Sequence, residues 1–414
     1  MLTVVATGGV LLALRHDSQA LAVLSVLGGF ANPYLVGIEN ASDAALSGYV
    51  ILLDLGVLAL AATRRWPVLD RLALVGTWTV ATTALLSSDA EVLISLTAFF
   101  LIFAVVPFVR MAMGRRVGPA ELSMVFSNAL LYLGTGLIVL FLGDLEEWQT
   151  WFALALAAAH AGFAALARKD RLLFPGMIGL AALFLGVAAM LELEGPWVSV
   201  AWSIEGVALV WAGSRAGHPS LRGAGVLVAA SAALIAGVAE FGLGEAYRPA
   251  RLLLSEESLV MGIHVAALAA TATLLSRPSA AEWERFAAGA AAVGANLAAL
   301  AWLSFEAQAA FSRAVPRPGN EQALQFTYSA IWGMYGGVLL AVGVIARIRG
   351  ARLLGVAILA VTMAKMVLVD LWLLETLFRT LAFIGLGAVL LASSLLYHRF
   401  RDLVLEGTLE TGES

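Results

Sequence analysis

Apolar stretches of about twenty residues recur along almost the whole 414-residue chain, separated by short charged runs. A helix needs about 20 mostly apolar residues to cross the hydrocarbon core of a bilayer. The chain therefore reads as a polytopic transmembrane helix bundle of the all-α class. Composition agrees: 61% of residues are hydrophobic and 13% charged, and mean hydropathy is +0.90. A soluble domain is closer to half apolar and a quarter charged. A soluble enzyme, a nucleic-acid-binding domain, a coiled coil and a disordered scaffold are thereby excluded. The net charge of −4 supplies no basic field for nucleic acid. The chain has no cysteine, so it has no disulfide framework, thiolate metal site or cysteine nucleophile. The first apolar stretch lacks the basic flank of a secretory signal.

Charged punctuation divides the chain into about fifteen spans. They cover roughly 1–14, 18–37, 44–62, 67–87, 92–109, 119–142, 149–167, 172–191, 197–213, 221–242, 258–276, 286–305, 323–346, 352–371 and 378–397. Gly28 and Gly29, followed by Asn32 and Pro33, are expected to kink or break the second. Residues 1–400 are read as one membrane domain and 401–414 as a short polar cytoplasmic tail. The connections alternate in charge. Arg64 with Arg65, Arg110 with Arg115 and Arg116, Arg168 with Lys169 and Arg171, and Arg347 with Arg349 and Arg352 mark alternate turns. Between them lie acidic turns such as Glu39 with Asp43, and Asp144 with Glu146 and Glu147. The positive-inside rule puts the basic turns in the cytoplasm, giving an N-out, C-in protein.

Residues 201–235 resemble residues 331–365 at a constant offset of 130, without a gap. Trp202, Gly206, Leu209, Gly213, Arg222, Gly225, Val226 and Ala230 match Trp332, Gly336, Leu339, Gly343, Arg352, Gly355, Val356 and Ala360. Each copy reads as a helix, an Arg-bearing turn and a second helix. The pattern is that of a parallel internal repeat within the C-terminal half, about 197–400.

Three stretches carry a family resemblance: LRHDSQALAVLSVLGGFANPYLV, AWSIEGVALVWAGSR, and the long run from Ala351 to Phe400 that begins ARLLGVAILAVTMAKMVLVDLWLLETLFRT. Their order and spacing resemble the DUF2339 family of predicted bacterial membrane proteins across nearly the whole chain. Members of that family are typically longer, so the resemblance implies a short or N-terminally truncated member in the bacterial inner membrane. It carries over no catalytic residue, and a functional reading must come from the side chains themselves.

Ionisable groups inside a bilayer are costly, about 2.5–3.5 kcal/mol at a helix centre, and mark sites by default. Glu205 lies about 12 Å below the outer face. Lys365 lies about 20 Å above the inner face, which leaves it about 10 Å below the outer one. These matched depths predict that Glu205 and Lys365 pair or share a polar cavity. Tyr335 stands where Glu205 stands in the first repeat copy. Asp54, near the middle of its span, is either a proton or cation site or a neutral acid bonded to a neighbouring helix. Asp370 is expected to reach water at the outer boundary. His160 and His264 lie within spans, where isolated histidines are more often packing residues than pH sensors. Arg248, Arg251, Arg313 and Arg317 fall in two longer outer connections and could bind a phosphate or carboxylate, or pair with neighbouring glutamates. Trp148, Trp151 and Trp197 read as interfacial anchors. No catalytic constellation, metal-ligand spacing or phosphate loop is present in the sequence, so no cofactor or metal is expected.

Three functions fit these features. The first is a transporter or flippase for an amphipathic or anionic cell-envelope compound, with the Glu205–Lys365 pair changing partners. The second is a scaffold that assembles with other envelope proteins and has no turnover. The third is a membrane-embedded transferase acting on a lipid-linked donor, with Glu39 and Asp43 as its acids. The expected partners are the bilayer, a lipid or anionic solute, or other envelope proteins, with nucleic acid excluded.

Overall fold

The computed structural model describes residues 12–36 except 14, then 42–63, 66–84, 91–241, 255–313 and 320–370, with short stretches between 380 and 395. Among these residues every regular element is helical. Helices α1 (Gln19–Val36), α2 (Asp43–Thr63), α3 (Pro67–Ala84), α4 (Val92–Ala112), α5 (Pro119–Leu142), α6 (Gln149–Leu166) and α7 (Leu173–Glu192) come first. They are followed by α8 (Trp197–Ala216), α9 (Pro219–Phe241), α10 (Glu256–Leu275), α11 (Glu282–Arg313), α12 (Asn320–Ile345) and α13 (Arg349–Lys365). A π turn, Met366–Asp370, extends the last. These elements correspond one for one to the second through fourteenth expected spans. The first and fifteenth fall largely, and the 401–414 tail wholly, outside the described residues.

Nine of the described helices are long and apolar enough to cross a membrane, from α4 to α7 and from α9 to α13. The polytopic helical reading holds at that coarser level. Helices α1, α2, α3 and α8 are outside the nine, and α3 and α8 are rich in polar groups. Asp70, Arg71 and four threonines lie in α3, while Ser199, Ser203, Glu205, Ser214 and Arg215 lie in α8. Large apolar side chains such as Leu35 and Ile345 are more than 80% exposed. Such side chains belong against lipid rather than water.

Contacts divide the chain into two compact units, Met1–Val228 and Ala229–Ser414. In the first, α6 packs along α7, α4 along α5, and α3 against α1 and α2. Phe99, Phe103, Phe184, Leu96 and Leu180 are wholly buried between them. The break expected at Gly28–Pro33 does not occur, because α1 runs unbroken through Pro33. Proline has no N–H to give the carbonyl four residues back, which here is Gly29. The Tyr49 hydroxyl of α2 donates to that carbonyl at 2.7 Å. A borrowed donor thus replaces the missing one, as buried backbone requires. In the second unit α10 packs on α11, α11 on α12, and α12 on α13.

The two hairpins α8–α9 and α12–α13 close in the same way, position for position. Gly213 and Gly343 let the following helix approach so closely that an added Cβ would lie 2.7 Å from the Arg222 nitrogen and 2.6 Å from the Arg352 nitrogen. Gly225 and Gly355 do the same from the other side. An added Cβ there would meet the Val210 and Leu340 nitrogens, each at 2.7 Å. Both turns contain a left-handed residue, Gly217 (φ +71°) and Arg347 (φ +57°). Both are closed by a bond to the glycine carbonyl, His218 N–H to Gly213 and Ile348 N–H to Gly343, each 2.9 Å.

A Cβ forced onto backbone cannot be absorbed by a rotamer change. Gly343→Ala and Gly213→Ala are each expected to destabilise by about 1–3 kcal/mol. Gly337→Ala, where nothing lies within 4 Å, should be neutral or slightly stabilising. Thermal midpoints in detergent decide this; a Gly343→Ala protein that melts with wild type would refute the close-approach argument.

Candidate functional site

The densest buried charge in the second unit sits where α13 passes into the π turn. Lys365 Nζ donates to Asp370 Oδ1 at 2.7 Å, to Ser329 Oγ at 3.0 Å and to the Gln325 carbonyl at 3.1 Å. Ser329 Oγ donates in turn to Asp370 Oδ2 at 2.5 Å. Lysine, serine and aspartate therefore close a ring in which each carboxylate oxygen has a donor and each of the three ammonium donors an acceptor. The side chains of Lys365 and Asp370 are 13% and 3% exposed.

Local geometry makes the pair. Residues five apart on an α-helix stand about 140° apart around its axis. A π turn hydrogen-bonds i to i+5 and so brings such residues onto one face. The widened turn Met366–Asp370 thus aims Asp370 back at Lys365, and Ser329 of α12 completes the set. This corrects one expectation: Asp370 is buried and does not reach water. Within its own unit Lys365 takes Asp370 as its ion-pair partner and has no donor left over.

Glu205 lies in the first unit, half-buried on α8. It stands beside Gly186 of α7, where an added Cβ would sit 3.2 Å from Glu205 Oε2. Trp202 Nε1 donates to the Gly186 carbonyl at 3.0 Å. Among the described residues no side chain donates to the Glu205 carboxylate. Tyr335 points elsewhere in its own unit, and its hydroxyl donates to Asn296 Oδ1 at 2.9 Å. His264 is buried on α10. Arg248, Arg251 and Arg317 lie outside the described residues. Arg313 closes α11, and its side chain also lies outside them.

Asp54 is fully buried on α2, and the Thr77 hydroxyl of α3 lies 2.7 and 2.9 Å from its two oxygens. The Thr77 hydroxyl thus bonds Asp54 to the neighbouring helix. His160 is also fully buried. Its Nδ1 bonds the Leu156 carbonyl at 2.9 Å, and its ring packs on Phe100, Phe163 and Phe184. Trp148 and Trp151 are exposed and Trp197 is half-buried.

Sequence reading passed over several buried polar groups. Asn128 accepts from Trp78 Nε1 at 3.0 Å and donates to the Phe100 carbonyl at 2.9 Å, tying α3, α4 and α5 together. Arg110, read as a turn charge, instead bridges Asp70 and Glu121. In α10 and α11, Ser258 bonds Glu306, which also accepts from Trp302 Nε1. A carboxylate in the first turn of a helix, as at Asp70 and Glu121, was the available signal.

Removing one partner of a buried ion pair costs about 3–5 kcal/mol, whereas replacing both by apolar groups is often near neutral. Lys365→Met and Asp370→Leu should each lower the thermal midpoint strongly. The double variant should recover most of the loss. Additive losses would show that the two side chains do not act as a pair.

No curated protein and no solved structure matches the chain. One family model, described as a predicted membrane protein (DUF2339), matches residues 1–323 and again residues 258–400. Those matches span the helices and the Lys365 centre alike: the chain belongs to the DUF2339 family of membrane proteins.

Proposed function

We propose that this chain is a transporter or flippase for an amphipathic or anionic cell-envelope compound, with the Lys365 centre as its solute site. The observation that carries the reading is the closed Lys365–Asp370–Ser329 ring, built on a π turn in a membrane-crossing helix. Ionisable groups at such depth are expensive and mark solute or ion pathways. Single π turns inside α-helices gather at functional sites. In this reading an anionic group of the solute competes with Asp370 for the Lys365 ammonium, and the freed carboxylate keeps its Ser329 bond. Differential affinity for the two arrangements is what drives the change of state.

The finer architecture belongs to the same proposal. Alternating loop charge favours about fifteen spans, N-out and C-in, in a bacterial inner membrane. The shared glycine contacts and left-handed turns of α8–α9 and α12–α13 support a duplicated hairpin, 201–235 and 331–365. Parallel repeats of this kind are a recurrent transporter device.

The test is translocation by the full chain in proteoliposomes, with fluorescent phosphatidylglycerol as the anionic amphipathic probe and its phosphatidylcholine analogue as control. Wild type should speed phosphatidylglycerol exchange well above protein-free vesicles, and Lys365→Met should return it to that baseline. Wild-type protein that moves neither lipid, or a Lys365→Met protein that moves phosphatidylglycerol at the wild-type rate, would overturn the reading.

A further inference from the structure

A second charged cluster lies in the first unit, far along the sequence from the Lys365 centre. Arg110, three residues from the end of α4, donates from its two terminal nitrogens to Asp70 in the first turn of α3 and to Glu121 in the first turn of α5. Glu121 Oε2 is occupied, since it accepts the Gly118 N–H at 2.9 Å. Asp70 Oδ1 is buried and has no hydrogen-bond partner, although the residue is only 3% exposed. An unmade bond on a buried carboxylate is costly and calls for a donor. Asp70, Arg71, Arg110 and Glu121 line a small open cleft with room for a group of about water size.

Charge and position specify the donor. Asp70 and Glu121 against Arg110 leave the inner part of the cluster one positive charge short, and Arg71, exposed at the mouth, balances the whole. An anion is excluded by the free Asp70 oxygen. A hard metal ion would need six or more oxygens, and the cleft offers one that is unused. A primary ammonium fits: it carries one charge and three N–H donors and is about the size of water. All three helices meet here at their ends, within about one turn, or 5 Å, of where they turn back. For α4 and α5, which are long and apolar enough to cross a membrane, that is headgroup depth. Arg71 is exposed at the mouth, where a phosphate beside the ammonium would meet it.

We propose that the cleft among Asp70, Arg110 and Glu121 binds the primary ammonium of an ethanolamine phospholipid headgroup, with Arg71 meeting its phosphate. The site is independent of the transport reading, because it needs no turnover and shares no residue with the Lys365 centre.

Native mass spectrometry of the full chain, after exchange into equimolar phosphatidylethanolamine, phosphatidylglycerol and phosphatidylcholine, tests this. One phosphatidylethanolamine should be retained at least tenfold over phosphatidylcholine, whose trimethylated nitrogen has no N–H, and over phosphatidylglycerol, which lacks the nitrogen. Asp70→Asn should erase that preference. Arg71→Gln, at an exposed position that leaves folding intact, should weaken retention several-fold. Equal retention of the three lipids by wild type, as for a cleft filled by water alone, would overturn the proposal. So would an unchanged preference in folded Asp70→Asn or in Arg71→Gln. Displacement of the lipid by free ethanolamine at equal concentration would overturn the lipid as source.

Discussion

Every polar group inside these helices has to find its partner within the protein, and most of the observed packing answers that demand. Hydrocarbon offers neither donor nor acceptor, so an unmet backbone group costs several kcal/mol. The unbroken course of α1 depends on it. Pro33 frees the Gly29 carbonyl, and only the Tyr49 hydroxyl from α2 restores the bond. Asn128 answers the same demand for the Trp78 indole and thereby fixes three helices against one another. Threonines such as Thr135 and Thr362 turn their hydroxyls back to the carbonyl four residues earlier and ask nothing of a neighbour.

Close approach is the second requirement, and glycine supplies it. With lipid on the outside as apolar as the side chains within, helices adhere through packing and short polar contacts. Gly213 with Gly225, and Gly343 with Gly355, bring backbone against backbone in two hairpins of one design. At the left-handed position of the turn the two hairpins differ: Arg347 holds the conformation that Gly217 adopts without strain. An arginine kept there despite a conformational penalty fits a turn that must present positive charge at the membrane surface.

How much of this could be read from the residues depends on whether an interaction follows helical periodicity. The helices could be read, because length and apolarity decide them, and α1–α13 fall where charge punctuation puts them. The close-approach glycines Gly213, Gly225, Gly343 and Gly355 also fall at positions that the 130-residue offset pairs. The Lys365 pair could not be read. Depth arithmetic assumes a uniform α-helix and does not place Asp370 beside Lys365. The π turn rewinds the chain locally and brings in a residue that α-periodicity places on another face. Arg110 escaped for a related reason. Treated as loop punctuation it belongs to a turn, yet α4 continues to Ala112 and carries it into contact with Asp70 and Glu121.

In the proposed transport reading the Lys365 ring has to be both stable and changeable. Breaking it outright strands a charge and is prohibitive at the scale of a whole protein's stability. Exchanging one anion for another leaves the ammonium paired throughout, so the difference between the two states is small even though each interaction is strong. In that reading Ser329 would favour exchange over rupture. Its hydroxyl donates to Asp370 and accepts from Lys365, so either residue can change its other partner while one bond persists. A buried ion pair also needs hydrogen bonds for its remaining donors and lone pairs, and the Ser329 hydroxyl supplies one to each charge. In the transport reading proposed above, the same hydroxyl would hold one bond while either charge exchanges its other partner.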